Sequence, residues 1–175
     1  METYYHATAS ELVAGQVLGP IVGLSNFQKR QQAAGLGWLE EAFEARRPSG
    51  CSSRLGALFA TRKIEEAAKY ILAEPGFRQG DLKPRYYRVT IECPTAGPMM
   101  LVGYAARFQK QNSTQNDIID EYWHPSHEWR YLEYFGPTIT VEEELTAPSI
   151  DRTVGVSLAA ATDFSLARRL WPPVK

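Results

Sequence analysis

The chain has 175 residues, 44% of them apolar and 22% charged, with a formal net charge of -1. That length suits one domain, 1–175, with a core of its own, and the near-neutral charge argues against the strong field with which a basic protein gathers nucleic acid or an acidic membrane. No stretch approaches the roughly 20 apolar residues that cross a bilayer, and the N-terminus lacks the basic-then-apolar order of a secretory signal. A cytoplasmic location is therefore expected, or delivery into a target cell by another route. Cys51 and Cys93 form no CxxC pair and are expected to be reduced thiols.

Thr3 to Thr8 is aromatic and β-prone, and Ser10 to Gly15 reads as a short helical turn closed by glycine. From Asn26 to Arg47 helix formers dominate, broken at Gly35-Leu36-Gly37 and ended by Pro48-Ser49-Gly50. Leu55 to Thr61 predicts a short buried strand. Ile64, Ala67, Ala68, Ile71 and Leu72 then recur at helical spacing. Arg85 to Glu92 alternates, with Tyr87, Val89 and Ile91 on one face, which is the pattern of a half-buried strand. Met99 to Gly103 reads as another strand, Gln109 to Asn116 as a loop, and Asp117 to Trp123 as a helical turn or more. Trp129 to Phe135 and Thr138 to Glu144 read as strands split by Gly136-Pro137. The tail offers a strand at Thr153 to Leu158 and a helix at Phe164 to Leu170. Helices early and strands late predict an α+β fold rather than a doubly wound parallel sheet.

The common nucleotide, metalloprotease and hydrolase motifs are absent from the sequence. His6, His124 and His127 lack metal-ligand spacing, so no metal site is expected, and Glu142 to Glu144 reads as a solvated charge run. Three segments carry the chemical signal. They are Tyr5-His6-Ala7-Thr8, then Gly56-Ala57-Leu58-Phe59-Ala60 with Tyr70 eleven residues beyond Phe59, then Glu128 to Pro137 with Glu133-Tyr134 inside it.

In order and rough spacing these segments resemble the ADP-ribosyltransferases of the diphtheria-toxin and poly(ADP-ribose) polymerase type, the His-Tyr-Glu class. The matches lie between residues 4 and 142. Ser53-Arg54-Leu55 is also similar to small bacterial domains of undefined activity. The resemblance implies two packed, mostly antiparallel sheets with peripheral helices. It further implies NAD as co-substrate, a macromolecular acceptor, and a role as effector, toxin or modifier.

Each matched position has a chemical reason. Loss of nicotinamide leaves the ribose with oxocarbenium character, and a fixed carboxylate stabilises that charge where it develops. Glu133 is the candidate, with Glu128 in reserve because strand ends shift by a few residues. Phe59 and Tyr70 suit the two faces of a flat aromatic amide; the other reading makes them core residues. His6 is a candidate donor to ribose hydroxyls, and the backbone at Ala7 a partner for the carboxamide. Arg54 either meets the pyrophosphate with its planar fork or forms a surface ion pair. Ala7 stands where the family has glycine, Phe59 where it has tyrosine, and Ala67 where some members have serine.

The leading expectation is an NAD-dependent mono-ADP-ribosyltransferase, or an NAD glycohydrolase if water is the acceptor. A binding module of the same fold without turnover is the alternative. A third reading is an RNA 2′-phosphotransferase, which would need Arg46, Arg47, Arg54 and Arg62 gathered around the pocket to hold a phosphate. The aromatic segment from Tyr122 to Phe135 is either core or a partner surface.

Overall fold

A computed structural model describes residues 2–108, 110, 112–150 and 158–173. Among them are two antiparallel sheets and seven helices, a mixed α+β arrangement. The first sheet is ordered β1 (Tyr4–Thr8), β4 (Arg85–Ile91), β7 (Ile139–Leu145), β2 (Val17–Leu18). The second is ordered β3 (Leu58–Ala60), β6 (Leu132–Gly136), β5 (Thr95–Pro98). A pair of backbone bonds between Tyr5 and Thr61, at 2.8 and 2.9 Å, stitches β1 to the end of β3 and so joins the sheets at one edge.

Strand alternation explains how the sheets pack. In β4, Tyr87, Val89 and Ile91 are buried, as the period predicts, and meet Ile139 and Val141 of β7 in one apolar cluster. Leu58, Ala60 and Tyr134 of the second sheet face that same cluster. Phe59 and Phe135 point the other way, with ring centroids 5.1 Å apart. They enter a larger core roofed by α2 (Trp38–Ala45), α5 (Met99–Ala105), α6 (Ser113–Trp123) and α7 (Leu158–Leu170). The second sheet is thus covered on one face by strands and on the other by helices. Helix α3 (Ile64–Ala73) covers the outer side of β4, where Ala68 and Ile71 pack on Tyr86.

Helix α1 (Asn26–Ala33) starts with a reciprocal cap. Ser25 Oγ accepts the Gln28 amide at 3.2 Å, and Gln28 Oε1 accepts the Ser25 amide at 2.8 Å. The short helix α4 (Pro75–Arg78) follows α3 directly. No helix among the described residues is long and apolar enough to cross a membrane.

Several elements differ from expectation. Met99 to Gly103 lies in helix α5, and the strand of that region is Thr95–Pro98 just before it. Short apolar runs fit a buried helix as well as a buried strand, and burial of Leu101, Val102, Tyr104 and Ala105 follows the helical period. Helix α6 begins at Ser113, four residues before the predicted start, because Asn112 caps it through the Thr114 amide at 2.8 Å. Ser10 to Gly15 forms no helix; Gly15, at φ +83°, closes a turn into β2. Strand β6 starts three residues later than predicted, at Leu132, and keeps Gly136. The tail helix reaches from Leu158, and residues 153–157 of the expected tail strand lie outside the described residues. Tyr122, Trp123, Trp129, Tyr131 and Phe135 are buried, so that aromatic segment is core.

Candidate functional site

A cleft of about 290 Å³ opens beside the stitched edge. Strand β1 supplies His6 and Ala7, β3 supplies Phe59, α3 supplies Tyr70, and β6 supplies Glu133. A second cavity of about 280 Å³ adjoins it, and the two share Phe59, Tyr70, Met99 and Glu133. The cleft is therefore two lobes meeting at a carboxylate and two rings. Lobe 1 carries His6, Ala7, Ala67 and the α1 cap residue Ser25; lobe 2 carries Lys69, Gln31 and Tyr131.

Glu133 is 4% exposed. Alternation along β6 puts it on the same face as Phe135, toward the helical core, where Arg54 and Tyr122 meet it. The Tyr122 hydroxyl donates to Glu133 Oε1 at 2.8 Å, and Arg54 Nη1 donates to the same oxygen. Arg54 Nε also donates to Glu40 Oε2 at 3.0 Å. Its guanidinium lies 4.9 to 5.7 Å from the ring centroids of Tyr122, Phe59, Phe43 and Phe135. Burial alone would lower the Arg54 pKa, but the charge of Glu133, with Tyr122 and Glu40, outweighs it and holds the group well above its ordinary value. Both side-chain hydrogen bonds of Glu133 among the described residues are to Oε1, and no buried side-chain oxygen there lacks a partner. Oε2 is therefore the accessible oxygen.

Two glycines permit this arrangement. Gly97 of β5 lies opposite Glu133 in the ladder, and a Cβ there would sit 2.1 Å from the Tyr122 ring. Gly56, at φ +73°, lets its carbonyl accept the Ile21 amide at 2.7 Å; a Cβ would come 2.9 Å from the Ile21 carbonyl oxygen. That contact ties the loop before α1, which carries Ile21 and Ser25, to the rim of lobe 1.

His6 is half-buried, with Nδ1 2.8 Å from the Phe59 carbonyl oxygen. A carbonyl only accepts, so Nδ1 carries the proton. Burial lowers the ring's pKa, leaving it neutral at pH 7 with Nε2 as an acceptor. Toward a ribose hydroxyl the neutral ring accepts, where the sequence led us to expect a donor. Tyr70 keeps its proton, since burial and the nearby Glu133 charge both raise its pKa.

No protein-family model matches this chain, and no curated protein does.

Three expectations change. Arg54 is neither a surface residue nor free for a pyrophosphate, because it is 3% exposed and held by Glu40 and Glu133. Glu128 is exposed on the loop before β6 and lines neither lobe, which removes it as a reserve for Glu133. The four arginines do not gather around the pocket. Arg46 pairs with Asp120, Arg47 with Glu44 and Arg62 with Glu2.

Sequence reasoning missed Glu40, Tyr122, Gly97, Glu121 and Asp163. Asp163 of α7 accepts the Tyr131 amide at 2.7 Å and the Arg130 amide at 2.9 Å, holding the chain just before β6. Glu121 accepts from Ser126 Oγ at 2.6 Å, Trp129 Nε1 at 2.8 Å and the His127 amide at 3.0 Å, so one buried carboxylate organises the loop that leads to Glu133. Only Tyr122 and its neighbour Glu121, eleven and twelve residues before Glu133, lie near it in sequence; Glu40, Gly97 and Asp163 are 30 or more residues away.

Proposed function

We propose that the chain is an ADP-ribosyltransferase-type enzyme that binds NAD in lobe 1, cleaves the nicotinamide-ribose bond, and passes ADP-ribose to an acceptor or to water. The observation that carries this reading is the convergence of His6, Ala7, Phe59, Tyr70 and Glu133, from four separate elements, on one cavity. His6 lies 53 residues before Phe59 and Glu133 lies 63 residues after Tyr70, so these side chains do not meet at one cleft by sequence proximity alone.

In this reading, the accessible Glu133 Oε2 faces the ribose, and its charge stabilises the cation that forms as nicotinamide departs. Arg54 and Tyr122 keep the other oxygen in place, so the carboxylate is oriented before substrate arrives. Neutral His6 accepts from a ribose hydroxyl through Nε2. Phe59 is already engaged with Phe135 and Arg54, which makes it a fixed wall, while Tyr70 supplies the ring from α3. The ADP-ribosyltransferase-like fold belongs to the same proposal, supported by the two antiparallel sheets joined beside the cleft.

The test is release of nicotinamide from NAD by the purified protein and by Glu133→Gln, with NAD binding followed by calorimetry. Loss of a preorganised electrostatic group costs about 100-fold or more in turnover. The expected result is release by the wild type, a fall of that size in Glu133→Gln, and retained NAD binding. Binding without release by the wild type would favour the binding-module reading, for which the ion pair of Glu133 with Arg54 is the specific support. Neither binding nor release would end both.

A further inference from the structure

Cations gather at one end of the helical layer, away from the cleft. Helices α5 and α7 both begin at lobe 2, through Met99 and Met100 on one and Ala160 on the other. Their far ends are tied together, because Tyr104 near the end of α5 donates its hydroxyl to the Trp171 carbonyl oxygen at 2.6 Å. Arg107, just past α5, reaches across to α7. Its guanidinium lies 4.6 Å from the Phe164 ring centroid and 5.7 Å from that of Tyr104. Arg168 stands one turn beyond Phe164 on α7; burial raises the Tyr104 pKa, and Arg107 and Arg168 both pull against it. Arg169 follows Arg168, and Lys110 is three residues beyond Arg107. All four cations are exposed, and none of them forms an ion pair among the described residues.

This end of the layer has no exposed acid of its own. Segments 99–114 and 158–173 contain one acidic residue, Asp163, which is 1% exposed and accepts from the Arg130 and Tyr131 amides. On the neighbouring helix α6, Asp120 is bonded to Arg46, and Asp117 acts on the same arginine. Elsewhere Arg46, Arg47, Arg62, Arg85 and Arg88 are each paired with a carboxylate. The dipole of α7 favours cations in its last turn, which accounts for Arg168 and Arg169. It does not account for Arg107, which lies over a ring of the other helix.

We propose that the joined ends of α5 and α7 are a docking surface for an acidic segment of a partner protein. This goes beyond the reading of the cleft and does not depend on it. Charge complementarity selects the partner, since a row of carboxylates meets four cations and no competing acid. Packing of Arg107 on two rings fixes its planar fork before a partner arrives, which lowers the cost of ordering it. Nucleic acid fits less well. Single strands bind by stacking bases on open rings, whereas the Phe164 ring is half-buried and already carries Arg107. A lipid surface fits less well too, because none of the exposed large apolar side chains lies at this end.

The experiment measures binding of the full chain to a fluorescein-labelled decaglutamate peptide by anisotropy. A labelled single-stranded decathymidine, a DNA duplex and phosphatidylserine vesicles are run in parallel. The expected result is binding of the peptide in preference to the other three, weakening as salt is raised. Arg107→Gln/Arg168→Gln/Arg169→Gln weakens it about tenfold, the combined effect of three exposed charge contacts. Lys29→Gln/Arg78→Gln/Lys83→Gln, which removes the same charge from exposed positions elsewhere, changes it less than about twofold. Arg107→Glu/Arg168→Glu turns the preference toward a decalysine peptide. Urea midpoints show whether each variant is folded. Lys110→Gln/Arg169→Gln, at positions that stack on neither ring, should weaken binding severalfold and tests the surface without disturbing the packing of Arg107. No peptide binding, or equal losses in the two triple variants, would overturn the assignment. Tighter binding of either DNA or of the vesicles would overturn it as well, replacing the acidic segment with a phosphate backbone or a membrane.

Discussion

Replacing Gly97 with alanine tests the geometry that holds Glu133. The added Cβ would lie 2.1 Å from Tyr122 Cζ, 2.4 Å from Cε2 and 2.6 Å from the hydroxyl oxygen, all far inside contact distance. Tyr122 is fully buried, with its ring edge-on to Phe43 at 5.0 Å and to Trp123 at 5.1 Å, so it has little room to retreat. Overpacking a core of this kind costs about 1–3 kcal/mol. Displacing the ring also breaks the bond to the Glu133 carboxylate, worth about 1.5–3 kcal/mol as a bond to a charged group. The expected loss is therefore about 2.5–6 kcal/mol, a large part of the roughly 5–15 kcal/mol that stabilises a domain. Urea unfolding measures it directly. In a Tyr122→Ala background the space is open, so the same Gly97→Ala change should cost less than about 1 kcal/mol, the coupling expected of neighbours. Equal costs in the two backgrounds would show that the clash is not with Tyr122, and the account of how Glu133 is held would be wrong.

Arg54→Ala strands Glu40 and Glu133 in the core and should destabilise by about 3–5 kcal/mol, read by urea unfolding; Glu40→Gln, which leaves Arg54 paired with Glu133, should cost less. Burial alone would raise the Glu121 pKa, but its bonds from Ser126, Trp129 and His127 outweigh that and hold it below the ordinary carboxylate range. Its contribution is then fully present above the unfolded value of about 4.5 and is lost as pH falls through the lower folded value. Glu121→Gln should flatten that acid-side decline in a stability-versus-pH series, and an unchanged slope would refute the assignment. Asp163→Ala should free the Arg130 and Tyr131 amides, accelerating their hydrogen exchange more than that of the β4 amides, and should cost about 1–3 kcal/mol for the unsatisfied donors.

Local pattern was legible where burial follows the chain's own period. The face of β4 carrying Tyr87, Val89 and Ile91 is buried as the alternation predicts, and Ala67, Ala68 and Ile71 of α3 are buried at helical spacing. The cap at Ser25 was present in the sequence as Ser-x-x-Gln, a signal available but unused. Where a run was apolar throughout, as at Met99 to Gly103, period could not separate helix from strand, and the surrounding core decided.

From the sequence alone came the α+β class and the ordered set of His6, Phe59, Tyr70 and Glu133, because strands, helices and short motifs are written in residues a few positions apart. The fate of Arg54 was not written there. Beside Ser53 and Leu55 it reads as a surface or phosphate-facing arginine, yet its partners are Glu40, 14 residues before it, and Glu133, 79 residues after it. Whether a charge meets solvent, ligand or another charge depends on which distant segments the fold brings to it. That is a property of the packed helices and sheets, and it turned a proposed ligand contact into the support of the candidate catalytic carboxylate.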